Sequence, residues 1–235
     1  MNFRDRSLSL ILIALAVAAC SQTKAFYGSE TLKSRPAEAR VLLMPPDIEL
    51  YELTAGGMPD PKADWTATAR SHVAAALREE LVGKKAKLLV YERPVDSPSK
   101  EYTHNQLIKL HEAVGAAILR HKYISSLALP SKGDKFDWGL GRGANVLSQE
   151  YDTQYALFIY LRDSYASAGR VAVIVGAALF GVGVPGGRQV GFASLVDLHG
   201  GEVVWFNRLE SATGDLRSPE PARKAVKELL SDLPL

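Results

Sequence analysis

Cysteine is the scarcest residue of this sequence, with only Cys20 among 235 residues. A single cysteine excludes an intramolecular disulfide and a zinc site built on cysteine pairs. The chain also lacks an excess of either charge, because 28 basic and 26 acidic residues leave a formal net charge of +2. A balance this even does not supply the basic face that nucleic-acid binding needs. We therefore expect no nucleic-acid partner.

Sequence patterns typical of catalysis or metal binding are missing as well. His111 and His121 fall on one predicted helix, but about 15 Å apart along its axis, which is too far to share a metal ion. The glycines of Gly139–Ala144 match neither a Walker loop nor a dinucleotide-binding loop, and we interpret them as a flexible helix entry. No serine lies in a nucleophile elbow. We predict no catalytic residue, no metal and no cofactor, and we expect the chain not to be an enzyme.

The clearest positive signal is at the N-terminus. Arg4 and Arg6 precede an almost unbroken apolar run, Leu8–Ala19, which has the length of a signal-peptide core and is too short to cross a bilayer. The run ends in the motif Val-Ala-Ala-Cys at Cys20, which resembles the lipobox of bacterial lipoproteins. The resemblance implies signal cleavage after Ala19 and transfer of diacylglycerol to the thiol of Cys20.

Lipidation would fix where the mature protein is found. Each buried CH₂ group of an acyl chain contributes ~0.8 kcal/mol, so several chains on Cys20 would hold the protein durably on a membrane. Residue 21 is a serine, whereas aspartate at this position tends to retain enterobacterial lipoproteins in the inner membrane. The resemblance therefore implies the outer membrane, with the domain facing the periplasm. We divide the chain into a signal peptide (1–19), a lipidated tether without regular structure (20–40) and a single domain (41–235).

The remaining sequence alternates between strand and helix patterns. Strands are predicted at Val41–Met44, Lys87–Tyr91 and Tyr155–Arg162, and a loop at Asp47–Asp64. Helices are predicted at 64–83, 105–122 and 144–150, and from Pro219 or Pro221 to Leu230. An antiparallel hairpin is predicted from Gln189–Leu198 and Glu202–Leu209 around two glycines. Because Tyr155–Arg162 is apolar on both faces, we expect it to be central. The predicted fold is α/β, a mixed sheet with a C-terminal antiparallel hairpin and helices packed on the sheet.

Two segments carry a further resemblance. Glu150–Phe158 and Ser194–Trp205 look like the entry to the central strand and the last hairpin of periplasmic lipoproteins of the CsgG, LpoB and TolB N-terminal type. The similarity in element order extends over most of Arg40–Leu235. Both motifs are structural. The resemblance implies a non-enzymatic role in the envelope, as an accessory or assembly factor that contacts an envelope protein or associates with itself.

One internal segment, Val171–Val184, contains fourteen residues without a polar side chain, and Arg170 and Arg188 bracket it. It is too short for a comfortable membrane span. One interpretation is a crossover helix or hairpin buried inside the domain. The other is a membrane or oligomer contact made by Val171, Ile174, Leu179 and Phe180. The second interpretation gives an alternative function, an oligomeric pore or secretion component, because CsgG builds its pore from hairpins that each subunit donates.

Overall fold

The computed structural model describes residues 22–28, 39–82, 84, 86–212 and 214–235. Within these ranges the chain forms one eight-stranded sheet and five α-helices. The strands are β1 (Gln22–Tyr27), β2 (Arg40–Leu43), β3 (Asp47–Leu53), β4 (Pro59–Pro61), β5 (Lys87–Val90), β6 (Tyr155–Ala166), β7 (Gln189–Asp197) and β8 (Val203–Ser211). The helices are α1 (Ala63–Val82), α2 (Pro98–Lys122), α3 (Asn145–Tyr151), α4 (Ala168–Ala178) and α5 (Pro219–Leu229).

Strand β6 lies in the centre of the sheet, as its apolar residues predict. It pairs with antiparallel β7 from Tyr155 to Asp163. Its other edge pairs in turn with two parallel strands, first β2 and then β3. Beyond β7 the order continues through β8 to β1, and β5 lies outside β2. The sheet is therefore mixed, and its β7–β8 hairpin is antiparallel, as expected.

Pro45 and Pro46 separate β2 from β3 along the same edge of β6. The amide of Met44 still donates to the carbonyl of Leu157 at 3.0 Å. The two prolines that follow have no N–H to donate, so the ladder is interrupted there. Pairing then resumes at Asp47.

The predicted loop over Asp47–Asp64 is therefore wrong in part, since β3 and β4 lie within it. Ile48 and Leu50 are fully buried in the core. Two apolar residues at a spacing of two are a short signal, and the parallel partner β6 is more than 100 residues away in sequence. The strand is set by this distant pairing, which a local pattern does not reveal.

The predicted tether also needs a correction at its start. Gln22–Tyr27 forms β1, which pairs antiparallel with β8 over six residues, whereas irregular structure was expected. The Phe26 ring stacks on Phe136 with centroids 5.7 Å apart, and the Tyr27 hydroxyl donates to the carbonyl of Asp232 at 2.9 Å. These contacts with distant parts of the chain stabilise a strand whose own sequence is mostly polar.

Helices cover both faces of the sheet. Leu157, Ile159 and Leu161 of β6 pack on one face with α1 and α5. Ala156 and Phe158 point to the other face and pack with α2 and α3. This alternation follows from the period of two in a strand, and it explains why β6 is apolar throughout. The predicted α/β class, with helices packed on the sheet, is confirmed.

Helix α2 is longer than predicted, because it begins at Pro98 and not at Asn105. Proline fits the first turn of a helix, where its missing N–H has no intrahelical acceptor. The additional two turns bring His104 into the buried layer, where its Nδ1 lies 3.1 Å from the hydroxyl of Tyr91. The apolar stripe used for the prediction starts only at Leu107, and this explains the late start.

Helix α2 approaches the sheet closely at Gly115. A Cβ atom at this position would lie 2.1 Å from a ring carbon of Phe192, far inside van der Waals contact. One turn earlier, the His111 ring stacks on Phe158 with centroids 4.6 Å apart, and its Nε2 lies 2.5 Å from the Ser194 hydroxyl. His111 is buried, and burial lowers its pKa to about 3. The helix thus approaches β7 at Gly115, where the absence of a side chain leaves room for Phe192, and at His111, whose neutral imidazole contacts Ser194.

Alanine substitutions at two helical glycines should have opposite effects on stability. Gly115→Ala should lower the free energy of unfolding by about 1–3 kcal/mol, because the new methyl group overlaps Phe192. Gly176→Ala in α4 meets no atom within 4 Å and should be neutral or stabilising by up to about 1 kcal/mol, because alanine favours the helix. Urea denaturation of the non-lipidated domain measures both. Equal effects at the two sites would contradict the close approach of α2.

Acidification should destabilise the domain through His111. Its pKa is about 3 in the folded state and about 6.5 in an unfolded chain. The unfolded state therefore binds a proton between these pH values, and stability falls as the pH falls from about 6.5 toward 3, by up to ~1.4 kcal/mol per pH unit from this group. His111→Gln keeps a polar atom near Ser194 but does not titrate, so its stability should fall less steeply. If the free energy of unfolding changed with pH in the same way in the native protein and in His111→Gln, the effect could not be assigned to His111.

Candidate functional site

Lipidation at Cys20 and cleavage after Ala19 concern residues outside the described ranges, so both stay predictions. The first described residue is Gln22, which begins β1. Two residues of extended chain span at most about 7 Å. A lipid on Cys20 would therefore lie close to the end of the sheet at which β1 starts.

The segment Val171–Val184, called the apolar segment from here on, is exposed. It consists of most of α4 and the chain that follows this helix, and none of the α4 residues is buried. Leu179 and Phe180 at its tip are 81% and 85% exposed, and Val171 is exposed at its start. Ile174 is half-buried and faces the returning chain beside Gly186. The interpretation as a crossover buried inside the domain is therefore wrong for this chain on its own.

Both ends of α4 are capped by local hydrogen bonds. The Ser167 hydroxyl accepts a hydrogen bond from the amide of Arg170 at 3.1 Å, a standard N-terminal cap. After Ala178, the amide of Gly181 donates to the Ala178 carbonyl and that of Val182 donates to the Ala177 carbonyl, both at 3.0 Å. With Gly181 at a φ of 73°, this pair of bonds is a Schellman motif.

The base of the apolar segment is fastened to the sheet by Arg170. Its guanidinium donates to the carbonyl of Ala55, in the β3–β4 turn, and to the carbonyl of Pro185, where the segment returns. Gly187 then packs so tightly on β6 that a Cβ would lie 1.9 Å from the carbonyl oxygen of Ser164. The start and end of the segment are therefore held together, while Leu179 and Phe180 point away from the domain.

The apolar segment and the start of β1 lie at the same end of the sheet. Strand pairing places one row of residues across four neighbouring strands, from Gln22 through Glu210 and Val190 to Arg162. Beyond this row, β6 continues four residues to Ala166 and then enters α4. We call this the Gln22 end. The opposite end carries the β7–β8 turn at His199 and the start of β6, and we call it the His199 end.

His111, His104 and His121 contact other parts of the domain. The pair formed by His111 and Ser194 is closed to solvent, so it cannot reach a substrate. His104 is also buried, 3.5 Å from the carboxylate of Glu150; burial lowers its pKa and the carboxylate partly offsets this. His121 Nδ1 lies 2.7 Å from the backbone carbonyl of Leu127. Among the described residues, no group of three or more His, Cys, Asp or Glu side chains could hold a metal ion.

The glycine-rich stretch Gly139–Ala144 packs against the β7–β8 turn. Gly139 forms a bridge with Glu202, and the amide of Leu140 donates to the carbonyl of Gly201 at 2.6 Å. A Cβ on Gly201 would lie 2.0 Å from the carbonyl oxygen of Gly141. These glycines therefore permit two backbones to approach each other, which the sequence pattern alone did not indicate.

A cluster of charges where β3 pairs with β6 also has a structural role. Arg162 of β6 contacts Asp47 at 3.1 Å and Glu49 at 3.3 Å, both in β3, and its guanidinium covers the ring of Tyr160 at 3.9 Å. Burial lowers the pKa of Arg162, but the hydrogen bond to Asp47 and the neighbouring charges of Asp47 and Glu49 together outweigh burial, so the pKa is raised. The cluster fixes the register of β3 against β6.

Sequence reasoning did not identify Arg170 as the fastening residue or Gly181 as the cap. The two caps of α4 had local signals, since Ser167 precedes the helix by one residue and Gly181 follows it closely. The contact of Arg170 with Ala55 had no such signal.

No helix in the described part of the chain is long and apolar enough to cross a bilayer.

No protein-family model matches the chain, and no curated protein matches it significantly in sequence. Among solved structures, it is similar to a PelC dodecamer from Paraburkholderia phytofirmans, with 14% identity, a TM-score of 0.39 and coverage of 90% of this chain and 96% of that one. A variant of that dodecamer gives 14% identity, a TM-score of 0.41 and coverage of 92% and 98%. The LpoB C-terminal domain from Salmonella enterica gives 14% identity, a TM-score of 0.28 and coverage of 78% and 91%. These structural similarities are distant, and no family is assigned.

Proposed function

We propose that the chain is an outer-membrane lipoprotein, anchored through Cys20 and facing the periplasm. It acts without catalysis, as an accessory or assembly factor that contacts an envelope protein or further copies of itself. The observation that carries this proposal is the exposed apolar segment. A helix that is apolar on all sides is normally buried, so a chain that leaves one exposed has a surface made for contact with something other than water.

The buried polar groups support the non-enzymatic part of the proposal. Asp163 is buried, and its carboxylate accepts hydrogen bonds from Gln189 Nε2 at 3.0 Å and from the amide of Leu216 at 3.1 Å. Burial raises its pKa, and these hydrogen bonds oppose the rise. Like the pair of His111 and Ser194, this carboxylate joins elements inside the domain. Groups enclosed in this way hold the structure together and are not placed to act on a substrate.

The alternative function is a pore or secretion component that inserts the apolar segment in an oligomer. The exposure of Leu179 and Phe180 favours this reading as much as it favours any other contact. The length of α4 opposes it, because eleven residues span about 16 Å and a hydrocarbon core is about 30 Å thick. We therefore keep the pore as the second candidate.

Loss of the lipid should release the protein from the membrane into the soluble fraction. The test compares the native protein with a Cys20→Ser variant exported behind a signal peptide that another peptidase removes. The native protein should fractionate with the outer membrane, and the variant should enter the soluble fraction after an alkaline carbonate wash, because it has lost its acyl chains. A variant that resists the wash and elutes as a large assembly would favour the pore. A variant with unchanged fractionation would contradict the lipid anchor.

Photo-crosslinking in living cells should capture a specific protein from an exposed surface of the domain. Photoreactive residues at Val95, Tyr102 and His199 sample three exposed positions, and the same residue at fully buried Trp205 is the control. We expect one discrete, light-dependent product from at least one exposed position and none from position 205, with mass spectrometry naming the captured chain. An absence of products at all exposed positions, or turnover in assays with envelope glycans, peptides or lipids, would contradict the proposed function.

A further inference from the structure

We propose that the apolar segment inserts end-on into a single leaflet of the bilayer, the leaflet that also holds the acyl chains of Cys20. This inference rests on the lipid anchor of the proposed function and adds to it a second membrane contact with a defined depth. It commits the exposed tip, Leu179 and Phe180, to a lipid surface, and it leaves protein contacts to the rest of the domain.

The first support is position. Cys20 precedes Gln22 by two residues, and Gln22 lies in the row that ends at Arg162, four residues before β6 finishes. Three steps between strands, at about 4.8 Å each, separate the ends of this row. A lipid on Cys20 and the start of α4 therefore project from the same end of the sheet. A bilayer that holds the lipid meets the apolar segment as well.

The second support is the distribution of polarity around α4. A helix that lies flat in a membrane interface keeps a charged face toward water. From Val171 to Ala178, α4 has no polar side chain on any side. A helix without a polar face is better suited to entering the hydrocarbon along its axis. Arg170 and Arg188 then mark the level of the headgroups at its base.

The third support is length. The eight helical residues beyond Arg170, Val171–Ala178, extend about 12 Å, and one leaflet supplies about half of a 30 Å hydrocarbon core. The helix is therefore too short to cross the bilayer, but it matches a single leaflet. Acyl chains on Cys20 would occupy the same depth.

The fourth support is the backbone at the tip. In hydrocarbon, an unpaired carbonyl costs several kcal/mol, so a helix end exposed to lipid needs its own hydrogen bonds. The Schellman motif at Gly181 supplies bonds to the carbonyls of Ala177 and Ala178 from within the segment. The residues beside this cap, Leu179, Phe180 and Val182, are all apolar and exposed.

Site-specific fluorescence in proteoliposomes tests the proposal. Because lipidation converts the Cys20 sulfur to a thioether, an introduced cysteine is the only free thiol of the mature protein. Phe180→Cys places an environment-sensitive fluorophore at the tip. Val82→Cys is the matched control, because Val82 is 82% exposed and ends α1 five residues before β5 starts, at the His199 end. The vesicles contain phosphatidylethanolamine and phosphatidylglycerol, with or without nitroxide groups at mid-depth in the acyl chains.

We expect the probe at position 180 to shift its emission to shorter wavelength and to lose most of its intensity to the nitroxide lipids. The probe at position 82 should do neither. If both probes remain in water while the protein floats with the vesicles, the insertion is refuted and the lipid-anchored function stands. If the protein does not float, the lipid anchor itself fails.

Two further measurements address other occupants of the tip. The Phe180→Cys change is also made in the soluble Cys20→Ser protein, without vesicles. An emission shift there that grows with protein concentration would assign the tip to a second copy of the chain and overturn the proposal. Phe180→Asp should abolish residual binding of the soluble protein to the vesicles, whereas Val82→Asp should leave it unchanged. Equal effects of the two aspartates would also overturn it.

Discussion

The pairing of β6 on both edges is the constraint on which the rest of the structure depends. Its antiparallel partner β7 and its two parallel partners β2 and β3 fix a strand of twelve residues in the middle of the sheet. Side chains alternate from this strand into two cores, each covered by helices. Because β6 is paired along its whole length, its two ends define the two ends of the molecule. The position of every other feature can be stated relative to them.

The exposed apolar segment is a direct consequence of this arrangement. α4 follows the last residues of β6 without a long connection, so it leaves the domain at the Gln22 end. Arg170 and Gly187 return the chain to the sheet, and this closes the segment into a protrusion whose base is fixed. The buried polar groups lie elsewhere, at contacts such as that between His111 and Ser194. The buried polar side chains therefore stabilise the fold, whereas the apolar segment, which has no polar side chain, is exposed.

Local patterns were sufficient where an element is specified by its own residues. The β7–β8 hairpin follows from two apolar runs around glycines, and α1, α3 and α5 follow from helical spacing or from proline at the first turn. They were insufficient where a distant partner decides. β1 is largely polar and is a strand because β8 and the Phe136 ring lie beside it. β3 is a strand because β6 extends beyond Pro45 and Pro46, where the sequence pattern predicted that pairing ends.

The amino-acid sequence by itself determined the prediction of a lipidated Cys20, because a lipobox is read as a linear motif by enzymes that meet the chain before it folds. It also determined the α/β class, since the periods of helix and strand are local properties. Only the tertiary structure decided whether Val171–Val184 is covered or exposed, because fourteen apolar residues are compatible with either a core or a surface. That choice depends on where β6 ends and on what packs beside it. The same pairing decided that the start of β1 and the apolar segment share one end of the sheet.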